Sequence, residues 1–209
     1  LSAVVLAAGE GSRMRSERPK PLHRLCGKPM LTYVLESLAD VQVDRAVIVV
    51  GHKGDWVTKK MQEHAHHVQV DFVEQRVQRG TGDATLVGLV GLPDEDDDGD
   101  VLVLIGDAPL LRAATIARLV EHHRESGAAA TVLTAMMDDP TGYGRVLRGK
   151  EDRVVRIVEQ RDATDEELEV QEINTSIYCF RRSLLAPALR RVEPDNSQGE
   201  YYLTDVVEV

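Results

Sequence analysis

The chain has 209 residues, 43% of them hydrophobic and only 4% aromatic, so one sizeable aliphatic core is expected. Its formal net charge of −10 argues against nucleic acid or an anionic membrane as the main partner, because either would require a basic surface. No apolar stretch reaches the roughly 18 residues of a membrane span, and no signal peptide pattern is present. We therefore expect a cytoplasmic protein.

The first apolar run predicts a buried strand, and the loop after it combines glycines with basic residues. Gly9 and Gly11 leave backbone N–H groups free to converge on an anion, because glycine adopts positive φ without steric cost. Arg13 and Lys20 add full charges, and residues 10–28 contain six basic side chains against two acidic ones. Open α/β sheets bind ligands at the carboxyl ends of strands, so the sequence predicts a phosphate site here.

The spacing of this loop excludes two common phosphate-binding motifs. A dinucleotide fingerprint requires a third glycine where Met14 stands, and a P-loop requires Gly-Lys-Ser/Thr where Met14-Arg15-Ser16 stand. The remaining pattern, Leu-x-x-Gly-x-Gly-x-Arg-Met followed by Pro19-Lys20, resembles the signature of sugar-phosphate nucleotidyltransferases. A plain glycine turn is the alternative, and the positions of Arg13 and Lys20 disfavour it.

The rest of the chain alternates between helical and strand patterns. Helices are predicted at 30–39, 56–61, 84–90, 113–123 and 183–189, with another after Gly199. Strands are predicted at 46–50, 68–73, 101–105, 128–136, 153–158 and 173–180, the segment 153–158 being an edge strand. Without linkers or repeats, this indicates one α/β domain over 1–209, a three-layer α/β/α fold with a mixed, mostly parallel Rossmann-like sheet. Glycine-bearing stretches near 142 and 174, the first interpreted as a connection over 141–146, suggest that part of the sheet is antiparallel.

Two further strand ends carry candidate site residues. Gly80 and Thr81 precede a helix, whose first unpaired N–H groups would face the anion site. Gly106 and Asp107 end the most hydrophobic strand, where a carboxylate leaves the core and points into the ligand crevice. Because a hard cation bridging phosphate oxygens prefers carboxylate ligands, Asp107 is predicted to bind a metal ion. Capping of the next helix is the alternative role for Asp107.

Other titratable clusters are interpreted without a ligand. Cys26 and Cys179 have no partner at metal or disulfide spacing and are expected to be reduced thiols. A metal site is one interpretation of His64, His66 and His67, but no carboxylate or cysteine stands at ligand spacing around them, so a solvated helix end is expected. The acidic run at 94–100 lacks the alternating ligands of a calcium loop and is expected to be a solvated connector.

Seven separated motifs cover nearly the whole chain, at 6–20, 80–82, 106–110, 142–145, 158–163, 172–175 and 198–205. Together they resemble the uridyltransferase domain of bacterial bifunctional N-acetylglucosamine-1-phosphate uridyltransferases. The resemblance implies transfer of the uridylyl group from UTP to N-acetylglucosamine 1-phosphate. The products would be pyrophosphate and UDP-N-acetylglucosamine, which serves the synthesis of cell-wall precursors. It implies Mg²⁺ as the cofactor.

The resemblance also implies roles for individual residues. The residues expected to line the nucleotide are Leu6, Ala7, Ala8 and Gly9. Those expected to contact uracil are Gln75, Gly80 and Thr81. Those expected to contact the N-acetylglucosamine moiety are Gly144, Glu159 and Asn174. The remaining substrate contacts are expected from Gly11, Lys20 and Gly106, with Arg13 and Lys20 as catalytic residues and Asp107 on magnesium.

Three positions depart from the family pattern, namely Asp83, Ile105 and Ser176, and Ser176 bears on sugar specificity. The family's second magnesium ligand is an asparagine beyond the position of Val209, and its C-terminal half is a left-handed β-helix with acetyltransferase activity; neither is within residues 1–209. A trimer is expected only where that β-helix is present. The absence of an initial methionine is typical of a piece of a longer protein. A related nucleotidyltransferase for another sugar or nucleotide, and a non-catalytic nucleotide-sugar binding protein, remain as alternatives.

Overall fold

A computed structural model describes residues 1–9, 11, 14–51, 53–63, 68–93 and 99–209. The predicted phosphate role of Arg13, the histidines His64, His66 and His67, and the acidic residues 94–98 therefore lie outside the described residues. Within the described ranges, every helix is too short or too polar to span a bilayer.

Ten strands form one large sheet and one small ribbon in the described part of the chain. In chain order they are β1 (Ser2–Ala7), β2 (Arg24–Leu25), β3 (Lys28–Pro29), β4 (Arg45–Val50), β5 (Gln69–Glu74), β6 (Asp100–Ile105), β7 (Ala130–Met136), β8 (Arg145–Arg148), β9 (Val154–Val158) and β10 (Glu172–Arg181). The large sheet has eight strands in the order β5-β4-β1-β6-β10-β8-β9, with β7 also paired to β10, and β2 pairs with β3 separately.

The direction of the strands divides the large sheet into two parts. The pairs β4–β5, β1–β4 and β1–β6 are parallel. From β10 onward the pairs β10–β6, β10–β7, β10–β8 and β8–β9 are antiparallel. Because β7 and β8 each run opposite to β10, six of the eight strands still point the same way. The predicted mixed sheet with mostly parallel strands is confirmed, and so is the edge position of β9.

Helices cover both faces of this sheet. They are α1 (Met30–Asp40), α2 (Gly54–Gln62), α3 (Thr81–Val90), α4 (Ala113–Ser126), the one-turn α5 (Asp165–Leu168) and α6 (Arg182–Leu189), with short 3₁₀ turns at Lys20–Leu22, Lys150–Asp152 and Leu203–Val207. Successive side chains of a strand point to opposite faces, so Val5 of β1 packs with α1, α2 and α4, whereas Val4 packs with α3 and α6. The three-layer arrangement follows from this two-sided burial.

The structure differs from the sequence predictions in short elements. The segment 141–146 was interpreted as a connection, but β8 begins there at Arg145. Glycines flank this short strand, so it has too few residues for a strand pattern to be recognised. Its first residue, Arg145, is charged but only 2% exposed, which no sequence pattern predicts. The segment after Gly199 forms a short 3₁₀ turn, and the ribbon β2–β3 was not predicted, because two-residue strands have no periodicity to detect.

The topology brings separated chain segments to one edge of the sheet. The parallel strands β1, β5 and β6 all end there. The antiparallel register that pairs Tyr178 with Val103 places the beginning of β10 at that same edge. Ile173 pairs with Arg145, so β8 also begins there. Loops from both halves of the sheet therefore meet along one line, where ligands of α/β proteins bind.

Candidate active site

A cleft of about 370 Å³ opens at the carboxyl ends of the parallel strands. The predicted residues that line it are Leu6, Ala7, Ala8, Gly9, Lys20, Gln75, Gly80, Thr81 and Asp107. The structure therefore brings together the nucleotide, uracil and metal residues that the resemblance implied, although they come from three separate loops, which follow β1, β5 and β6. Pro21, Gln78, Ala84, Ile105 and Glu200 complete the wall.

The floor of the cleft is the end of β1 and the loop that follows. Gly9 is exposed, and a Cβ atom at this position would meet no other atom within 4 Å, so its backbone lies open to a ligand. Gly11 has φ +62, and a Cβ there would lie 2.9 Å from the Cβ of Lys20. Gly11 therefore allows Lys20 to approach the loop, and its positive φ is a conformation that glycine adopts without steric cost. Gly106 is not among the residues that line the cleft, and its N–H donates to the carbonyl of Leu6 at 2.9 Å.

Lys20 and Asp107 form an ion pair at one end of the cleft. Lys20 begins the 3₁₀ turn Lys20–Leu22, and Asp107 follows β6. The carboxylate side chain is 17% exposed and the lysine side chain 36%, so both can be reached from the cleft. A cation and a hard oxygen ligand beside a loop of open backbone are groups suited to binding phosphate.

Another part of the cleft wall consists of Gln75, Gly80 and Thr81. Gln75 follows β5 and is only 4% exposed. Gly80 has φ +108, and a Cβ there would lie 2.5 Å from the carbonyl oxygen of Tyr201, so glycine is required. The sequence predicted unpaired N–H groups at the start of α3, but the Gly82 N–H donates to the Tyr201 carbonyl at 2.8 Å.

The segment that carries Glu200 and Tyr201 holds this wall in place. The N–H of Tyr201 donates to the Arg79 carbonyl at 2.7 Å, and the N–H of Leu203 donates to the Thr81 hydroxyl at 2.9 Å. Glu200 lines the cleft directly. The motif at 198–205 supports the family resemblance, but its sequence predicts no role for Glu200 in the site. The motif lies more than 100 residues from Gly80 in the sequence, so the contact between the two segments could not be predicted.

Gln78 is a second cleft residue that the sequence analysis missed. Its Nε2 donates to the carbonyl of Ala8 at 2.5 Å, so it ties the loop after β5 to the loop after β1. The residue stands in a polar stretch, 74–80, that has no periodicity and no glycine spacing around this position. No sequence signal could have distinguished it from an ordinary exposed glutamine.

The three residues expected to contact the sugar form a separate cluster. The N–H of Asn174 donates to the Gly144 carbonyl at 2.9 Å, and a Cβ on Gly144 would lie 3.4 Å from Oε1 of Glu159. None of the three is in the wall of the nucleotide cleft. They lie where β10 and β8 begin and β9 ends, at the same edge of the sheet.

Carboxylates crowd around Glu159. Burial, followed by the nearby charges of Asp162 and Asp205, raises the pKa of Glu159 above its ordinary value. Burial, followed by the charges of Glu208 and Asp162, raises the pKa of Asp205 to about 6. Desolvation and like charges both disfavour the ionised form, so this part of the site attracts hydrogen-bond donors and positive charge.

Asn174 is positioned by its neighbours on β10. Its Nδ2 donates to the hydroxyl of Tyr178 at 2.7 Å, while its Oδ1 accepts from the N–H of Ser176 at 2.9 Å. Ser176 has φ +60 at the irregularity where the pairing of β10 with β7 shifts register. A residue other than glycine seldom adopts this left-handed conformation, and the hydrogen bond from the Ser176 N–H to the Asn174 side chain supports it here.

Comparisons with known proteins identify the family of this chain. A family model described as "MobA-like NTP transferase domain" matches residues 3–204. Proteins named "Bifunctional protein GlmU" are 45% identical in Heliobacterium modesticaldum and 47% identical in Pelotomaculum thermopropionicum, covering 100% of this chain in both cases. The chain spans only 44% of the length of either relative. The resemblance inferred from the motifs is confirmed.

Solved structures share the fold at low sequence identity. A UDP-glucose pyrophosphorylase complexed with UDP-glucose has a TM-score of 0.78 and 16% identity, covering 99% of this chain and 85% of its own. HddC from Yersinia pseudotuberculosis complexed with GMP-PN has a TM-score of 0.70 and 20% identity, covering 97% and 83%. These two likenesses support the nucleotidyltransferase fold.

Proposed function

The chain belongs to the family of MobA-like NTP transferase domains, and from that premise we propose that it transfers the uridylyl group of UTP to N-acetylglucosamine 1-phosphate. The products are UDP-N-acetylglucosamine and pyrophosphate. This proposal rests on one observation: two sets of residues lie along the same edge of the sheet. One set forms the cleft with Lys20 and Asp107, and the other is the cluster of Gly144, Glu159 and Asn174.

The reaction is a displacement at phosphorus. An oxygen of the sugar phosphate attacks the α-phosphorus of UTP, and the bond to the pyrophosphate oxygen breaks. The nucleophile is already anionic, so no general base is needed, and catalysis depends on alignment and on neutralising repulsion between phosphates. Lys20 and the open backbone after β1 provide that neutralisation, and we assign Arg13 the same role from the sequence.

The two residue sets position the two substrates. Gln75, Gly80 and Thr81 hold the base at the far wall of the cleft, so that the phosphates extend toward Lys20. Glu159 and Asn174 offer a carboxylate and an amide to the sugar hydroxyl and acetamido groups. Gly144 has no side chain, so the sugar can approach the backbone closely.

The residues near Lys20 fit a bound Mg²⁺ ion held largely by substrate. Asp107 supplies one accessible carboxylate. Within the described ranges no group of three or more histidine, cysteine or acidic side chains could hold a metal ion. Magnesium commonly keeps one or two protein carboxylates and takes its other ligands from water and phosphate oxygens. When bound, it would neutralise charge on the phosphates, and Asp107 is the residue we propose to hold it.

We place this activity in the cytoplasm, where nucleoside triphosphates are available. Cys26 and Cys179 are both unpaired, which is compatible with a reducing compartment.

A substrate panel tests the proposed function. Pyrophosphate release is measured with UTP, CTP, GTP and ATP, each combined with the 1-phosphates of N-acetylglucosamine and glucose. The expected result is the highest kcat/KM for UTP with N-acetylglucosamine 1-phosphate. Preference for another pair of substrates would identify the protein as a related nucleotidyltransferase. Binding of UDP-N-acetylglucosamine without turnover of any pair, also by a chain extended to include the family's second magnesium ligand, would identify a non-catalytic binding protein.

A further inference from the structure

Asp83 contacts the proposed base-binding residue directly. Its Oδ2 accepts a hydrogen bond of 2.7 Å from Nε2 of Gln75, and the same nitrogen donates to the Gly80 carbonyl at 3.2 Å. Both contacts lie behind the cleft wall, where Gln75 is only 4% exposed. Asp83 is also one of the positions at which this chain departs from the pattern of the family it resembles.

These two contacts determine which way the Gln75 amide faces. A glutamine amide has one end that donates and one end that accepts, and the two orientations are nearly identical in shape. The Gly80 carbonyl and an ionised Asp83 carboxylate can only accept. If the amide were reversed, its oxygen would face two other acceptors in a buried place, which is unfavourable. The nitrogen must therefore face Asp83.

The oxygen of the amide is consequently the atom left for a ligand. In the described part of the chain no group donates a hydrogen bond to Oε1 of Gln75, and Gln75 lines the cleft. The Watson–Crick edge of uracil presents an N–H donor at N3, whereas cytosine presents an acceptor at N3. A fixed acceptor on the protein favours the first base and rejects the second.

We propose that Asp83 is a positioning residue that locks the Gln75 amide with its oxygen toward the base, and so sets the preference for uracil over cytosine. The proposal rests on the proposed function, because it takes UTP as the nucleotide. A carboxylate suits this task better than a neutral group, since it accepts only and cannot stabilise the reversed amide.

A simple helix-end charge is the competing explanation of Asp83. The residue lies in the first turn of α3, where the helix dipole stabilises a negative charge. Asp55 occupies the first turn of α2 in the same way but does not line the cleft. The two residues thus provide a matched pair that separates the dipole effect from the orientation of Gln75.

The test measures binding of UTP and CTP, each with Mg²⁺, by calorimetry, without the sugar phosphate. The variants are Asp83→Asn, whose amide can donate or accept and so permits both orientations of Gln75, and the control Asp55→Asn. We expect Asp83→Asn to reduce the ratio of UTP to CTP affinity by about tenfold, the loss typical of a base-reading hydrogen bond. CTP affinity should rise, which a merely structural role would not produce. Asp55→Asn should keep the wild-type ratio.

The outcomes distinguish this proposal from the proposed function. If the wild-type protein binds CTP as well as UTP, the uridylyl assignment is wrong. If it prefers UTP and Asp83→Asn keeps that preference, the positioning role of Asp83 is overturned and the proposed function stands. Should Asp83→Asn fail to fold, Asp83→Ser, whose hydroxyl both donates and accepts, gives the same comparison.

Discussion

The two halves of the sheet edge differ in charge and in construction. The nucleotide cleft lies on parallel strands and carries a lysine, open backbone, the carboxylate of Asp107 paired with that lysine, and the carboxylate of Glu200. The sugar cluster lies on antiparallel strands and carries carboxylates that repel one another. Phosphates require positive charge and N–H donors, whereas sugar hydroxyls are bound well by carboxylate and amide acceptors. The difference supports the proposal that each half binds one substrate.

The largest expected effect comes from removing the positive charge in the nucleotide half. Lys20→Ala should lower kcat by about 10²-fold or more, because a charge that stabilises a transferring phosphoryl group is lost. Steady-state pyrophosphate release measures it. Lys59→Ala removes the same charge from an exposed site on α2 and serves as the control. A folded Lys20→Ala protein with a rate close to wild type would show that phosphate binds elsewhere.

Neutralising the carboxylate of the same half should have a smaller effect. Asp107→Asn keeps the shape of the side chain and loses the charge that a hard divalent ion prefers, so the Mg²⁺ midpoint of activity should rise about tenfold. The Mg²⁺ dependence of the thermal shift caused by UTP provides a second readout. Asp100→Asn, at the opposite end of β6, is the matched control. Identical Mg²⁺ midpoints in the two variants would remove Asp107 from the proposed metal site.

In the sugar half, removing a charge should stabilise the protein. The pKa of Asp205 is about 6 when folded, above the ordinary value of 3.8, so between about pH 4 and 6 the folded state binds more protons than the unfolded state. The stability contributed by Asp205 therefore falls as pH rises through this window. Because the side chain is partly exposed, solvent screening reduces the effect to about 1 kcal/mol, or 2–4 °C in Tm.

Asp205→Asn should accordingly raise Tm at pH 8 and leave it unchanged at pH 4. Thermal unfolding at both pH values measures this, with the exposed Asp195→Asn as the control. An equal rise in Tm at both pH values would mean that the variant is stabilised by a change in packing and not by the loss of a charge.

The sequence predicted the two halves with unequal success. Asp107 and the loop from Gly9 to Lys20 follow long buried strands, and parallel strands bring their carboxyl ends together, so their convergence could be predicted. β8 could not, because it is short, lies between glycines and carries the buried Arg145. The register of β10 depends on pairing with strands on both sides, which no local pattern contains.

Contacts between residues that are distant in the sequence could not be predicted either. Gln78 and Glu200 line the cleft only because the tertiary structure brings distant segments of the chain together. Asp83 was detected as a departure from a family pattern, but its hydrogen bond to Gln75 could not be inferred from that departure. The sequence thus identified the chemistry of the site more fully than the groups that orient it.

The most direct test of the division between the halves is a crossed comparison of two variants. Gln75→Ala alters the nucleotide half and Glu159→Gln the sugar half, and KM for UTP and for N-acetylglucosamine 1-phosphate is measured for each. We predict that Gln75→Ala raises KM for UTP about tenfold and leaves KM for the sugar phosphate within about twofold, while Glu159→Gln does the reverse, the scale expected for one lost hydrogen bond. If either variant changed both KM values equally, the two halves would not bind separate substrates.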